Sequence, residues 1–307
     1  MTENEFILYD RKVKIESVVR QYGEDKFIIS YSGGKDSTVL SELVDMAIPD
    51  NKIPRVYSDT GIEYSLNREF VYNKIANDNR FIAIQPKVPI KEMLEQEGYP
   101  FKSKEHSQML CQYQKNGINK SVERYLYPDE NRARYGCPKC LKYQFTEEFE
   151  LKVSDKCCDN LKKRPIADYQ KEHDRPFKIL GMRAEEGGNR NNVSCLAFKD
   201  DKLYSFNPLI VVKEDWMNWF VDEYNIELSK LYYPPYDFTR SGCRGCPFNL
   251  DLQKDLNIMK KLMPNEYKAS EIIWKPVYEE YRRIGYRLKK HTGQMDIFDY
   301  INLDRRN

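Results

Sequence analysis

Two sets of residues in this sequence have the types and spacing needed for chemistry: a glycine turn and a group of cysteines. The turn reads Ser-Gly-Gly-Lys-Asp-Ser at 32–37, between an apolar run at 27–31 and helically spaced apolar residues at 39–47. Glycine lets backbone N–H groups approach an anion, and the following helix adds its positive N-terminus. The pattern predicts an anion site made of Ser32, Gly33, Gly34, Lys35, Asp36, Ser37 and Thr38.

The eight cysteines are clustered rather than scattered. In an intracellular chain, clustered cysteines are more often metal ligands or redox groups than disulfides. Adjacent cysteines rarely bond each other, because the closed ring is strained. Only three histidines are present, so a histidine-rich zinc site or a histidine-based catalytic triad is not expected. The cysteines form the CxxC pairs Cys137/Cys140 and Cys243/Cys246 and the adjacent pair Cys157/Cys158, with Cys111 and Cys195 alone.

The elements that position these residues alternate between strands and helices. Strands are predicted at 27–31, 54–58, 81–85 and 177–183, and helices after the turn and at 64–77, 157–170 and 214–225. This order predicts an α/β, Rossmann-like fold with a mostly parallel sheet and helices on both faces. The polar stretch 100–150 is interpreted as an insertion and the tail 250–290 as helical. Asp59, Thr60 and Gly61 follow the second strand, at the edge where such sheets bind ligands.

Composition excludes several classes of protein. The chain has 307 residues, a net charge of +2 and an aromatic share of 13%. It is therefore neither a strongly basic nucleic-acid binder nor a disordered chain. No apolar run reaches the roughly 20 residues of a membrane span, and the first residues lack a signal-peptide pattern. We expect a cytoplasmic protein without a membrane partner.

The segment FIISYSGGKDSTVL resembles the PP-loop of the adenine-nucleotide α-hydrolases, which include ATP pyrophosphatases, tRNA thiolation enzymes and PAPS/APS reductases. The resemblance implies a HUP/PP-loop core whose turn holds the phosphates of ATP or the phosphosulfate of APS or PAPS. VYSDTGIEYSLNREFV resembles the reductase branch at the end of the second strand. It implies contact of Asp59 with Mg²⁺, ribose or base, against the alternative that Asp59 caps a helix.

Further blocks resemble APS reductases in family order, over roughly residues 25–250. Cys157-Cys158 with Lys162 and Pro165 resembles CC-x-x-x-K-x-x-P, and Gly181–Arg183 with Arg190 resembles G-x-R…R. SFNPLIVVKEDW resembles the NPL…W…D block of that family, and LYYPPYDFTRSGCRGCPF resembles its Y…GC-x-x-C block. By this resemblance, Lys162, Arg183 and Arg190 assist anion binding. It also implies a 4Fe–4S cluster on Cys157, Cys158, Cys243 and Cys246.

The CxxC pair Cys137/Cys140 is not part of this ligand set and leaves alternatives open. Cys137 and Cys140 could replace Cys157/Cys158 as ligands, join Cys111 or Cys195 in a zinc site, or form a redox pair that carries sulfur. Four thiolates also suit tetrahedral zinc. The main alternative to the iron–sulfur cluster is zinc on Cys137, Cys140, Cys243 and Cys246.

Sulfonucleotide reductases carry a catalytic cysteine in a C-terminal tail, and no cysteine follows Cys246 here. DNA-phosphorothioation sulfurtransferases, which resemble PAPS reductases, fit better. The resemblance then implies Mg²⁺-assisted adenylation by ATP, release of pyrophosphate, and displacement of AMP by sulfur. The alternatives are a sulfonucleotide reductase with a non-standard cysteine and a non-catalytic nucleotide-binding subunit. The residues predicted to act in catalysis are Lys35, Asp36, Asp59, Lys162 and Arg183.

The predicted organisation is a PP-loop core at 1–100, an insertion or cap at 101–156, the remainder of the reductase-like domain at 157–250 and a helical extension at 251–307. Within the insertion, the basic and aromatic stretch 113–145 has the composition of a nucleic-acid surface, or of a solvated loop. The expected partners are an adenine nucleotide, a nucleic-acid substrate, a sulfur-donor or redox protein, and a second copy of the chain.

Overall fold

The computed structural model describes residues 1–130, 136–187, 190 and 192–290. The chain divides into two compact units, Met1–Ile90 with Cys158–Arg244 and Lys91–Cys157 with Gly245–Asn307. Residues 291–307 of the predicted extension, and 131–135 of the basic and aromatic stretch, lie outside the described residues. The four-part division made from the sequence stays a prediction.

The described residues contain six strands, eleven α-helices and several short 3-10 and π segments. The strands are β1 (Phe27–Tyr31), β2 (Arg55–Ser58), β3 (Phe81–Ile84), β4 (Phe177–Ile179), β5 (Leu196–Lys199) and β6 (Lys202–Phe206). The α-helices are α1 (Glu3–Tyr22), α2 (Lys35–Ala47), α3 (Ser65–Asn77), α4 (Ile90–Glu97), α5 (Lys104–Asn116), α6 (Lys120–Leu126), α7 (Arg164–Glu172), α8 (Glu214–Glu223), α9 (Leu252–Leu262), α10 (Pro264–Ile273) and α11 (Lys275–Ile284). The short helices include 3-10 segments at Lys139–Gln144, Ala184–Glu186 and Lys230–Tyr232 and a π-helix at Asp159–Lys163.

The strands form one sheet in the order β3-β2-β1-β4-β6-β5. Every neighbouring pair is parallel except β5 and β6. The chain runs outward from β1 to β3 and then returns to the other side of β1 as β4. The carboxyl ends of β1 and β4 therefore form the switch point, where open α/β sheets bind ligands. The α/β, Rossmann-like fold class is confirmed.

Helices cover both faces of this sheet. Phe27 and Ile29 of β1 point into a core shared with α1, α2 and α8. Ile28, one residue away and hence on the opposite face, packs with Ile166 of α7. Burial on both faces of the sheet explains why the run at 27–31 is apolar apart from Ser30.

The predicted helix at 157–170 takes a different form. Its first part is the π-helix Asp159–Lys163, and α7 begins only at Arg164. Pro165 has no N–H to donate to the carbonyl of Leu161. Ser58 Oγ donates to that carbonyl instead, at 2.7 Å, so the irregular turn is tied to the end of β2.

In the second unit, the polar insertion folds around a buried histidine on α5. His106 is 0% exposed and bonds through both ring nitrogens, to Tyr125 Oη at 2.9 Å and to Gln144 Oε1 at 2.7 Å. Lys102 Nζ donates to the same tyrosine oxygen at 3.3 Å. Burial lowers the pKa of His106 to about 4, so its ring is neutral. Among the described residues, no helix has the length and apolar character of a membrane span.

Candidate phosphate and nucleotide site

The glycine turn connects β1 directly to α2. Gly33 has a φ of 74°, and a Cβ atom there would lie 2.5 Å from Val71 Cγ2 on α3. Asn67, one turn earlier on α3, donates from Nδ2 to the Ser32 carbonyl at 3.0 Å. Only glycine combines this dihedral angle with this close approach. The turn is therefore fixed by α3, and Asn67 is a positioning residue that the sequence did not reveal.

Hydroxyl groups line the turn. Ser32 N donates to Ser37 Oγ at 3.2 Å, and the two serine oxygens lie 3.0 Å apart. Lys35 N donates to Tyr232 Oη at 3.0 Å, and that hydroxyl donates to Ser241 Oγ at 3.0 Å. Amides and hydroxyls thus converge at the N-terminus of α2. Such groups can be exchanged for phosphate oxygens, which accept several hydrogen bonds at once.

The two cations predicted to bind phosphate, Lys35 and Arg183, take part in one ionic network. Lys35 Nζ pairs with Glu214 and lies 3.1 Å from Asn218 Oδ1. Arg183 donates to Asp36 Oδ1 at 2.9 Å and to Glu214 Oε2 at 2.6 Å. Burial alone would raise the pKa of Glu214, but the contacts with Lys35 and Arg183 hold it below its ordinary value.

The charges of Asp36 and Arg183 also act on Arg190, the other arginine predicted to bind the anion. Burial, followed by the positive charge of Arg240, lowers the pKa of Arg190, and Asp36 opposes that effect. Arg183 acts on it in the same direction as Arg240. Arg190 is therefore close enough to Asp36 and Arg183 to feel their charges, and its role in anion binding stays a prediction.

Asp59 lies at the end of β2 and is almost fully buried. Its carboxylate accepts from Arg68 at 2.9 Å, from Tyr72 Oη at 2.7 Å and from Gly61 N at 3.3 Å. Burial would raise its pKa, but the bonds from Arg68 and Tyr72 lower it below the ordinary value. Asp59 is therefore an ionised carboxylate held by α3, whose own N-cap is Tyr64.

Thr60 and Gly61 complete the predicted segment after β2. Thr60 donates from N and Oγ1 to Glu63, the latter bond being 2.6 Å. Gly61 has a φ of 77° with open space where a Cβ would lie. The segment is thus shaped by its own hydrogen bonds.

A cavity of about 430 Å³ adjoins the glycine turn. Ser32 belongs to both features, and the cavity extends along the ends of β1, β2, β4 and β6. Most of its wall is apolar, which suits a planar ring, while lysines provide positive charge. Among the residues that line it are Tyr31, Tyr57, Ile166, Leu180, Met182, Tyr204, Lys162, Lys163 and Lys178.

Two predicted thiols in the first unit meet this cavity through Lys162. The Lys162 ammonium bonds to Cys243, and Cys243, Glu63 and Cys158 raise the pKa of Lys162. Burial raises the pKa of the Cys243 thiol, and Lys162 opposes that rise without cancelling it. Cys243 is aligned by an antiparallel bridge to Glu63. Lys162 therefore connects two thiols to the cavity wall.

The remaining cysteines are distributed between the units. Cys111, Cys137, Cys140, Cys157 and Cys246 belong to the second unit, and Cys195 packs against the sheet core of the first. Cys137 is buried, which raises its pKa to about 11, whereas Cys140 is exposed. Among the described residues, no three Cys, His, Asp or Glu side chains are grouped as a metal site. The four-cysteine cluster therefore stays a prediction.

The basic and aromatic stretch 113–145 uses part of its aromatic content internally. Tyr125 bonds to His106, and Tyr143 bonds to Glu280. Tyr127 is exposed, with Lys142 Nζ 4.7 Å from its ring centroid. Contact of this stretch with nucleic acid stays a prediction.

Residues 118–249 match the family model of the phosphoadenosine phosphosulfate reductase domain. The resemblance to the PAPS reductase family is confirmed. The match covers less than half of the chain and includes Lys162, Arg183 and Cys243, but not the glycine turn. A search of curated proteins finds no match to this chain.

Three solved structures show remote similarity to the chain. PAPS reductase from Candida auris, as a phosphate complex, is 12% identical over 75% of this chain and 91% of its own, with a TM-score of 0.42. NH3-dependent NAD synthetase from Campylobacter jejuni is 13% identical over 96% of this chain and 98% of its own, with a TM-score of 0.40. U34-tRNA thiolase from Methanococcus maripaludis, with its 4Fe–4S cluster, is 13% identical over 95% of this chain and 84% of its own, with a TM-score of 0.39.

Proposed function

We propose that the first unit binds ATP, with the phosphates at Ser32–Thr38 and the adenine in the adjoining cavity. The observation that carries this proposal is the position of Ser32, which is part of the glycine turn and also lines the cavity. A turn that offers amides, hydroxyls and two cations suits phosphate. A largely apolar cavity suits a base.

The proposed reaction splits ATP between its α- and β-phosphates. An oxygen of the acceptor attacks the α-phosphorus and releases pyrophosphate, and a sulfur nucleophile then displaces AMP from the adenylate. Lys35 and Arg183 would neutralise the leaving pyrophosphate, while Asp36 holds Arg183 in place at 2.9 Å. Mg²⁺, when bound, would share this charge neutralisation. The acceptor is proposed to be a nucleic acid, and the sulfur to come from a donor protein.

A 4Fe–4S cluster on Cys157, Cys158, Cys243 and Cys246 is part of this proposal. Four thiolates are the usual ligands of such a cluster, which when bound would handle sulfur or electrons. Lys162 would then stabilise negative charge on Cys158 and Cys243, as its position beside both thiols supports.

Sulfonucleotide reduction is a second candidate, because residues 118–249 match the reductase domain and Cys243 contacts a lysine of the cavity wall. Cys243, with Lys162 opposing the rise that burial gives to its pKa, would lose its proton and attack the sulfur of PAPS, breaking the S–O bond and releasing the nucleotide. A second thiol would then attack Cys243 Sγ, forming a disulfide and releasing sulfite. A cysteine that ligates iron cannot also be this nucleophile. Iron and acid-labile sulfide per chain therefore separate the two roles of Cys243.

The test is product analysis on protein purified without oxygen. ATP labelled at the α-phosphate is added in a single turnover, with water in place of the unidentified acceptor. We expect labelled AMP with equimolar pyrophosphate, and about 100-fold slower turnover in Ser32→Ala and Asp36→Asn. Asp222→Asn, an exposed change on α8, serves as the matched control. Formation of ADP and phosphate contradicts the proposal, and sulfite from PAPS with a dithiol would establish the second candidate.

A further inference from the structure

Glu214, the first residue of α8, contacts both cations of the phosphate site. One carboxylate oxygen pairs with Lys35 Nζ, and the other accepts from Arg183 at 2.6 Å. The Glu214 side chain is 42% exposed, so solvent and ligands reach it. A carboxylate that bridges two cations supplies them with the same kind of charged acceptor as a phosphate oxygen.

The surrounding contacts hold Glu214 in this bridging position. Its backbone N–H donates to Glu185 Oε2 at 2.6 Å, and Glu185 in turn pairs with Arg183 at 3.0 Å. Asn218, one helical turn further along α8, contacts Lys35 Nζ at 3.1 Å. The start of α8 is therefore anchored to both sides of the cation pair.

The charges of this cluster favour exchange with a ligand. Lys35 and Arg183 face three carboxylates, those of Asp36, Glu185 and Glu214. Removal of one carboxylate would leave two cations and two anions. Arg183 is buried, but the Glu214 carboxylate is 42% exposed, so water can solvate it when a phosphate takes its place on the two cations.

We propose that Glu214 is an internal anion that competes with the phosphates of the ligand for Lys35 and Arg183. It weakens the binding of pyrophosphate and so assists its release after cleavage. The inference rests on the proposed function, because it requires phosphate at the glycine turn. Glu214 is then a functional residue of the site, whose removal strengthens rather than abolishes binding.

The test is calorimetric titration of the full chain with inorganic pyrophosphate. Glu214→Gln keeps the shape of the side chain and is expected to bind about tenfold more tightly than the wild type. The control is Asp215→Asn, which removes the same charge at an exposed neighbouring residue. Neither Lys35 nor Arg183 pairs with Asp215 in the part of the chain that the structure describes, so we expect less than about a twofold change.

A double variant separates direct contact from diffuse charge. In a Lys35→Ala background, Glu214→Gln should gain distinctly less affinity, because residues that share a contact do not act additively. Unchanged or weaker binding by Glu214→Gln, or an equal gain in Asp215→Asn, overturns the inference while the proposed function stands. Absence of pyrophosphate binding in the wild type overturns both.

Discussion

Around the glycine turn, charged side chains pair with one another and their carboxylates remain partly exposed, whereas His106 and its hydrogen-bond partners Tyr125 and Gln144 are buried. Glu214 is 42% exposed and His106 is 0% exposed. Partly exposed ion pairs contribute little free energy and can be replaced by a ligand. Buried polar groups cost much free energy when a partner is lost. The first region is suited to binding, and the second to holding the second unit together.

The largest effect is expected where the turn itself is altered. Gly33→Ala combines an unfavourable φ with a 2.5 Å approach to Val71, and we expect a loss of about 3 to 5 kcal/mol in the free energy of unfolding. Gly117→Ala is the matched control, since Gly117 has a φ of 68° with nothing within 4 Å of the added Cβ. That control should lose only about 1 kcal/mol. Urea denaturation measures both, and equal losses would refute the close approach.

The His106 network predicts acid sensitivity. Its folded pKa of about 4 lies below the ordinary 6.5, so between these values the unfolded chain binds more protons than the folded chain. Stability is complete above pH 6.5 and falls by about 3 kcal/mol as the pH is lowered towards 4. Denaturation at several pH values measures this, with an optical probe in the second unit.

Two variants attribute that acid sensitivity to His106. His106→Gln should remove most of the pH dependence, although it also weakens the network. His173→Gln is the control, because His173 is exposed and contacts the ring of Tyr169 in the first unit. A pH dependence that survives in His106→Gln would show that another group is responsible.

A smaller effect on stability, but a clear one on binding, is expected for Arg183→Ala. We expect pyrophosphate to bind about 30-fold more weakly, because a bidentate cation is lost. The free energy of unfolding should fall by only about 1 kcal/mol, since solvent reaches the remaining carboxylates. Calorimetry and denaturation of the same samples give both values.

Arg80→Ala is the control for Arg183→Ala. Arg80 also bridges two carboxylates, Asp45 at 2.6 Å and Asp78 at 2.7 Å, but neither belongs to the turn. It should lower stability without changing pyrophosphate affinity. A similar loss of affinity in both variants would mean that charge, not position, determines binding.

The smallest effect on stability is expected for an ion pair whose two side chains are both exposed. Lys87 lies 2.7 Å from Asp168, with the two side chains 83% and 53% exposed. Lys87→Ala should change the free energy of unfolding by less than about 0.5 kcal/mol. A thermal or urea melt measures it, and a loss above 1 kcal/mol would show that exposed pairs matter more here than around the glycine turn.

The sequence predicted β1 to the residue and the order strand, glycine turn, helix, because an apolar run, two glycines and helical spacing follow one another without interruption. It placed the start of α2 too late, since the helix begins at Lys35, inside the predicted turn. It did not predict the π-helix at Asp159–Lys163, which depends on the missing N–H of Pro165 and on Ser58. Nor did it predict the role of Glu214, which meets Lys35 across 179 positions. His106 was missed for the same reason, since its partners lie on other elements and leave no local pattern.

Binding of ATP by the turn is the central claim, and calorimetric titration of wild type, Gly33→Ala and Gly117→Ala with ATP tests it most directly. We predict one ATP per chain in the wild type and in Gly117→Ala, and none in Gly33→Ala under conditions where circular dichroism shows that it is folded. Equal binding by all three, or no binding by the wild type, would contradict the assignment of the glycine turn as the phosphate site.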